Sequence, residues 1–322
     1  MKKRVYGILG ISSIMSNWNA DFSGYPKTTS DGRTFGSDKA FKYPMKKMWD
    51  DQGKKVVYIK SMELSESKGE VSLIPKTLKS RYEQLFGTLD KKNNIEKVLS
   101  NLFQAIDVKN FGATFAEAGM NLSITGAVQI GQGFNLYEDT DPQEQPILSP
   151  FRDPLAGKKK AGNDKTEEAE EAKNSTLGTK IVSNEAHYFY PFTVNPFAYR
   201  EYTELGVTEG YTEKDYQEFK KAALTAATCF ATNSKVGCEN EFALFVETDL
   251  DFYLPNLSEY VKFTKGTEDT KNIIELTCMD LLEEVKEKIQ SIQIYYNPYT
   301  TQIVPEKKEG VRYYHIITQK EV

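Results

Sequence analysis

Cysteine is scarce in this 322-residue chain: Cys229, Cys238 and Cys278 make an odd count, and no CxxC pair occurs. That argues against a disulfide framework or a zinc site and points to a reducing, cytoplasmic setting. Histidine is scarcer still. His187 and His315 lie far apart and in no ligand spacing such as HExxH, so a histidine-based metal centre is not expected. His187 sits in the aromatic stretch AHYFYPF and reads as structural. No apolar run approaches the length of a membrane span. The opening MKKR leads into a short segment with Gly and Ser and no small-residue cleavage site, which reads as a first strand rather than a signal peptide. The glycines Gly126, Gly131 and Gly133 lack the Lys-Ser/Thr of a P-loop and the spacing of a dinucleotide fingerprint, so no cofactor is expected. An RNP1 signature is missing too, and no repeat recurs at a fixed period.

What is present is an ordinary globular balance with a surplus of aromatics. Hydrophobic residues make up 39% and charged residues 27%, enough for a real core in one elaborated domain or two small ones. Aromatics reach 12%, with 19 Tyr and 18 Phe; such rings fill cores and also stack on unpaired bases. Net charge is −5, which by itself speaks against a simple basic RNA-binding domain. The average hides a division. Residues 1–135 carry 20 Lys/Arg against 13 Asp/Glu, and the remainder carries 21 against 33. A basic half can meet phosphates, and a basic half and an acidic half can dock head to tail.

Along the chain, residues 4–15 predict a buried strand, followed by a polar loop over 16–36. Ser37 is placed to cap a helix through DKAFKYPMKKMWDD, with Pro44 expected to kink or restart it. KKVVYIKSMEL (54–64) reads as a second strand. Ile95, Val98, Leu99, Leu102, Phe103 and Ile106 recur at helical spacing. Residues 111–130 suggest a strand pair. Residues 138–186 hold four prolines and a dense mixed-charge run, the pattern of a mobile excursion. Regular structure returns with a strand at AHYFYPFTVNPF, a helix opened by Thr212 and Asp215, and a strand at EFALFVETDLDF. A helix over 273–290 and a strand at SIQIYYNP complete the pattern. With insertions removed, this order suits an α+β, ferredoxin-like or RRM-like sandwich with an open sheet face available to RNA.

The basic helix is the strongest local signal. Lys39, Lys42, Lys46 and Lys47 lie at i, i+3, i+7 and i+8, within a stretch (33–60) of eight basic and three acidic side chains. Lysines so spaced suit phosphate contacts that do not read sequence; a merely solvated helix face has the same pattern. The 126–133 glycines allow close backbone approach to a ligand, and a turn between strands is the plainer reading. Acidic side chains within Thr248–Asp251 suggest a cation pair, yet acids at strand ends are common. Asp21 lies in the loop after the first strand, where catalytic residues can sit, without an evident partner.

Several segments, in order, resemble the CRISPR-associated backbone subunits of type I Cascade complexes, the "Cas seven" family, in its type I-B, Csh-like branch. The first strand and its loop SNWNADFSGYPKTTSDGRTFG are similar to that family's opening. Ser37–Asp38 with Lys42 and Lys46 match its acidic-then-basic helix start. DVKNFGA (107–113) resembles its DVRxFGA segment and TGAVQ (125–129) its TGPVQ segment. Leu177–Gly178, His187–Tyr188 and Pro191–Phe192 match an LG…HxxxPY stretch. The departures are Lys109 for Arg, Ala127 for Pro, Phe192 for Tyr, and Pro44 within the helix.

The resemblance implies a hand-shaped molecule. Residues 1–60, 106–137 and 183–322 would form an RRM-like palm, 61–105 a finger insertion and 138–182 a thumb. It implies a subunit that polymerises along a crRNA and presents it to target DNA, with base pairing reading the sequence and protein holding the backbone. Expected partners are the crRNA, target DNA through the guide, further copies of the chain, and the large, small and crRNA-processing Cascade subunits; no membrane is involved. Expected RNA contacts are Lys39, Lys42, Lys46, Lys47, Phe111, Gln129, Gly131 and Gln132. No catalytic residue is expected. Two other readings stand beside this one: a type III-like subunit that cleaves target RNA through Asp21, and a scaffold that binds no nucleic acid.

Overall fold

The structure is a computed structural model that describes residues 1–67, 69–89, 94–152 and 174–322. In chain order, β1 (Arg4–Ser16) leads to β2 (Phe35–Gly36) and α1 (Asp38–Asp51). A hairpin of β3 (Met62–Ser67) and β4 (Glu70–Pro75) is followed by α2 (Leu78–Phe86), α3 (Ile95–Leu102) and α4 (Ile106–Phe111). A second hairpin, β5 (Gly112–Phe115) with β6 (Leu122–Thr125), precedes β7 (Val128–Ile130) and β8 (Gly133–Asn135). Then come β9 (Pro142–Arg152), β10 (Asn174–Val194), α5 (Arg200–Glu204), α6 (Glu213–Cys229) and β11 (Cys238–Thr248). The C-terminal part holds β12 (Val261–Thr264), β13 (Asn272–Leu276), α7 (Met279–Glu284), β14 (Ile289–Tyr296), β15 (Thr301–Val304) and β16 (Val311–His315).

The architecture is mixed α/β around a nine-stranded sheet. β1 is central, antiparallel to β10 on one side and β11 on the other, and the sheet runs β16-β14-β11-β1-β10-β8-β2, with β7 and β9 also pairing to β10. Successive residues of a strand face opposite sides, and β1 divides accordingly. Val5, Leu9 and Ile11 join Phe41, Met45 and Trp49 of α1, Tyr216 and Phe219 of α6, and Tyr188, Tyr190 and Phe192 of β10 in the larger core. Tyr6 and Ile8 face the other way, into a second core with Phe242, Leu244 and Val246 of β11 and residues of the small sheet β12-β13-β15. Each large apolar side chain so buried contributes roughly 1.5–3 kcal/mol.

That second core corrects one expectation. The sheet face opposite α1 and α6 is not open: the small sheet and α7 cover its β11 side through Val261, Ile274, Ile303 and Leu282. Other expectations shift in detail. Ser37 caps α1, its side chain accepting from the Ala40 N–H, and the helix runs through Pro44 without restarting, because Phe41, Pro44, Met45 and Trp49 are all buried on one face. Residues 54–61 are not a strand. The hydrogen bonds a ladder would use are taken by side chains: the Asp107 carboxylate accepts from the Val57 and Tyr58 N–H groups, and Arg81 donates to the Val56 carbonyl. The helical spacing over 95–106 breaks at Phe103 into α3 and α4, where the Ile106 N–H bonds to the Lys55 carbonyl.

The predicted helix over 273–290 begins instead as strand β13, since Ile273 and Ile274 pair with β12 and β15. The predicted excursion is ordered where described. β9 pairs along β10 from Pro142↔Ser183 to Arg152↔Asn174, and its prolines are tolerated at a sheet edge. The remainder of that excursion, 153–173, lies outside the described residues.

Candidate nucleic-acid interface

Two lysines of α1 converge on one ring. Lys42 Nζ lies 5.3 Å and Lys46 Nζ 5.9 Å from the centroid of Phe111, at the end of α4, and Lys46 is also 5.7 Å from the Tyr58 ring. Phe111 is anchored from behind by Trp49, ring to ring at 5.8 Å. The two cations differ in how they are held. Lys42 is paired with Asp38 one turn earlier, at 2.9 Å, both side chains half-buried; i,i+4 helix pairs contribute about 0.3–0.5 kcal/mol. Lys46 has no carboxylate within ion-pair distance among the described residues. Burial lowers its pKa, partly opposed by Asp107 and reinforced by the neighbouring Lys42 charge. A partly dehydrated ammonium without a counter-ion is a site for an incoming anion.

Phe111 owes its position to the segment around it. Asp107 is buried, and burial pushes its carboxyl up while the Val57 and Tyr58 N–H groups and Lys46 pull it down. Lys109 is buried as well, 3.7 Å from Asp215 and 3.3 Å from the Thr208 hydroxyl. Asn110 accepts from the Tyr211 hydroxyl at 2.7 Å. With Val108, all four residues before Phe111 are thus committed to the protein interior. Gly112 has φ +80, and a Cβ at Gly126 would stand 2.2 Å from the Phe111 carbonyl carbon. Only glycine permits that approach.

The expected residues divide as follows. Lys42 and Lys46 both stand over Phe111, whereas Gln129 is held apart from them, its amide donating to the Gly126 carbonyl at 2.8 Å and its side lining another cleft. Lys47 turns away to Asp51 and Lys39 is simply exposed. Gln132 is exposed, and Gly131 lies against Pro191 beside a cleft of about 340 Å³ that also includes Gln129 and Tyr6. Close backbone approach at Gly126 and Gly133 serves the chain itself, Phe111 in one case and the Tyr190 ring in the other, so the reading of these glycines as a ligand approach is corrected. Tyr58 was not singled out from sequence, and Asp107 entered only as the first residue of the DVKNFGA resemblance; their link spans 49 residues, and no local pattern announces it.

Asp21 is exposed, and its carboxylate accepts from the Ser23 and Tyr25 N–H groups, the role of a turn-forming aspartate. Among the described residues, no group of three or more His, Cys, Asp or Glu converges as a metal site. No helix among them is long and apolar enough to cross a membrane.

One solved structure, a chain of a "CRISPR RNA-guided surveillance complex, pre-nicking", aligns with a TM-score of 0.51 at 13% identity, covering 97% of this chain and 96% of that one; at that identity it establishes the fold. A second, from a "CRISPR RNA-guided surveillance complex", aligns at 15% identity over 98% of this chain and 93% of that one, but its TM-score of 0.43 carries no weight. No curated protein matches the sequence. The family model described as "CRISPR-associated protein Cas7" matches residues 3–282, most of the length over which the two cores and the lysine cluster are built, and the chain belongs to that family.

Proposed function

We propose that the chain is a crRNA-binding backbone subunit of a type I, I-B-like Cascade complex, that it polymerises along the guide to present it to target DNA, and that it has no catalytic site of its own. The observation that carries this reading is the pair Lys42 and Lys46 side by side over Phe111, with no carboxylate within ion-pair distance of Lys46 among the described residues. Two ammonium groups one helical turn apart suit adjacent phosphates, and a ring beneath them suits the edge of a sugar or base. The α+β palm has the strand order expected of an RRM-like unit: β11-β1-β10 with β7 and β8 at the edge, and α1 and α6 packed on one side.

The hairpin β3–β4, in the finger region, leaves Leu64, Val71 and Leu73 exposed on one face, and a chain that stacks on its own copies has a use for such a strip. The paired arm of β9 and β10 occupies the thumb region. The turn-forming role of Asp21 favours the non-catalytic reading over the type III-like one.

The test is charge reversal at both lysines, Lys42→Glu with Lys46→Glu, in the full chain. RNA-bound assembly is expected to be lost while far-UV circular dichroism stays near wild type; the unfolding midpoint falls somewhat, because a carboxylate at position 46 stands near the buried Asp107. Each lysine removed should also lower the slope of log affinity against log salt by about 0.7 for single-stranded RNA. Assembly on RNA that persists in the double variant contradicts the assignment of this face.

A further inference from the structure

Away from the α1 lysines, a cleft of about 570 Å³ opens between α6 and strands β11, β14 and β16. Lys3, Lys220, Lys221, Arg312, Glu247 and Gln293 line it. Its one lining carboxylate is already engaged. Glu247 takes Lys3 at 3.0 Å and the Tyr216 hydroxyl at 3.0 Å, and Lys3 also reaches Glu213 at 3.2 Å. Lys220 is 7% exposed and sits among the rings of Phe245 (4.7 Å), Tyr295 (5.2 Å) and Tyr216 (5.9 Å). Its ammonium has three donors, yet among the described residues it bonds only to the neutral Gln293 Oε1, which also accepts from the Tyr295 hydroxyl.

Arg312, Lys220 and Lys221 have no ion-pair partner among the described residues. The first two are joined through a relay, Gln293 Nε2 and the Arg312 guanidinium both donating to Ser291 Oγ at 3.0 and 3.1 Å. A buried cation is retained at considerable cost unless something compensates it. Here the rings do so in part, and Lys220 and Arg312 both line the cleft.

We propose that this cleft is a phosphate-binding site in which Lys220 and Arg312, aligned through Gln293 and Ser291, hold the oxygens of one phosphate group, supplied by a free phosphorylated molecule or by a nucleic-acid strand. Arg supplies a planar fork and Lys a point charge, and both suit the oxygens of a tetrahedral oxyanion. The site shares no residue with the Lys42–Lys46–Phe111 cluster and stands whether or not RNA binds there. Burial among the rings pushes Lys220 down to about 8. Glu247 and Glu213 pull it up and Lys3 and Arg312 push it further down; Tyr216, Tyr295 and Lys221 complete the surroundings. A bound oxyanion adds the missing negative charge, so binding favours the protonated amine.

The experiment uses the full chain carrying Lys42→Glu and Lys46→Glu, so that the α1 face contributes nothing. Calorimetric titration is carried out with inorganic phosphate and, separately, a short single-stranded DNA. Phosphate binding that disappears in Lys220→Gln and weakens in Arg312→Ala supports the site with a small-molecule source. DNA binding alone that weakens in both variants supports it with a strand as the source. Arg312 is exposed, so its loss leaves folding intact and separates ligand binding from a packing defect at Lys220. Sulfate, whose charge is constant over the range, should bind about tenfold more weakly at pH 9 than at pH 7 if Lys220 must be protonated. Neither phosphate nor DNA binding, or binding indifferent to both variants, overturns the proposal.

Discussion

At His187, burial and charge oppose each other, and charge wins. Burial disfavours the imidazolium, yet Glu241 at 2.8 Å on Nδ1 and Glu185 at 2.8 Å on Nε2 raise the pKa to about 9. The hydrogen bond to His187, with Lys265 beside it, holds Glu185 down at about 2. The ring stacks on Phe263 at 4.0 Å, adding a cation–π contact. One protonated side chain thereby ties β10 to β11 and to β12 of the small sheet. Because the folded-state pKa lies above the unfolded value of 6.5, the stabilisation is complete below about pH 6.5 and is lost as pH rises through about 9. Its size is on the order of 3 kcal/mol. Urea unfolding at pH 6 and pH 9.5 should show wild type losing more stability than His187→Gln over that interval. An equal change in both would show that His187 is not charged in the folded state.

At the scale of elements, the stretch from α4 into β5 acts as a latch. Asp107 secures Val57 and Tyr58, Lys109 reaches Asp215, Asn110 receives Tyr211, and the Tyr199 hydroxyl donates toward the Val108 and Lys109 carbonyls. Phe111 is what this latch presents to the lysines. Asp107→Ala should therefore cost on the order of 2–4 kcal/mol, since it strands two N–H groups, one fully buried. Asp107→Asn, which keeps one acceptor, should cost less. Denaturant midpoints check both, and an Asp107→Ala variant as stable as wild type would remove the latch from the account.

The same segment shows what could be read in advance. The Ser37 cap, the amphipathic α1 and the Thr212–Asp215 capping box are local patterns, and each stands where the spacing places it. Residues 54–61 look like a strand in composition, but Asp107, some 50 residues on, takes their N–H groups. The Lys42–Lys46 pairing was legible from helical spacing. Its completion by Phe111 was not derivable from spacing and entered only through the resemblance of DVKNFGA. Tyr58 had no local signal, because its place depends on that long-range carboxylate.

Across the whole molecule, the basic first part and acidic remainder fold around one central strand, β1, whose two faces serve two cores. The small sheet covers the β11 side of one face, so the open sheet face drops out and the candidate RNA contacts stay where the sequence placed them, on α1 and Phe111. The exposed strip of Leu64, Val71 and Leu73 lies on a two-stranded hairpin, a unit only marginally stable by itself and better suited to packing against another molecule. These features together are compatible with the proposal of a subunit that repeats on an RNA. The most direct measurement is the mass of the purified particle before and after ribonuclease. The account predicts a particle several times the 36.6 kDa chain mass, with nucleic acid present, that falls to smaller species on digestion. A nuclease-indifferent single chain carrying no nucleic acid would contradict it.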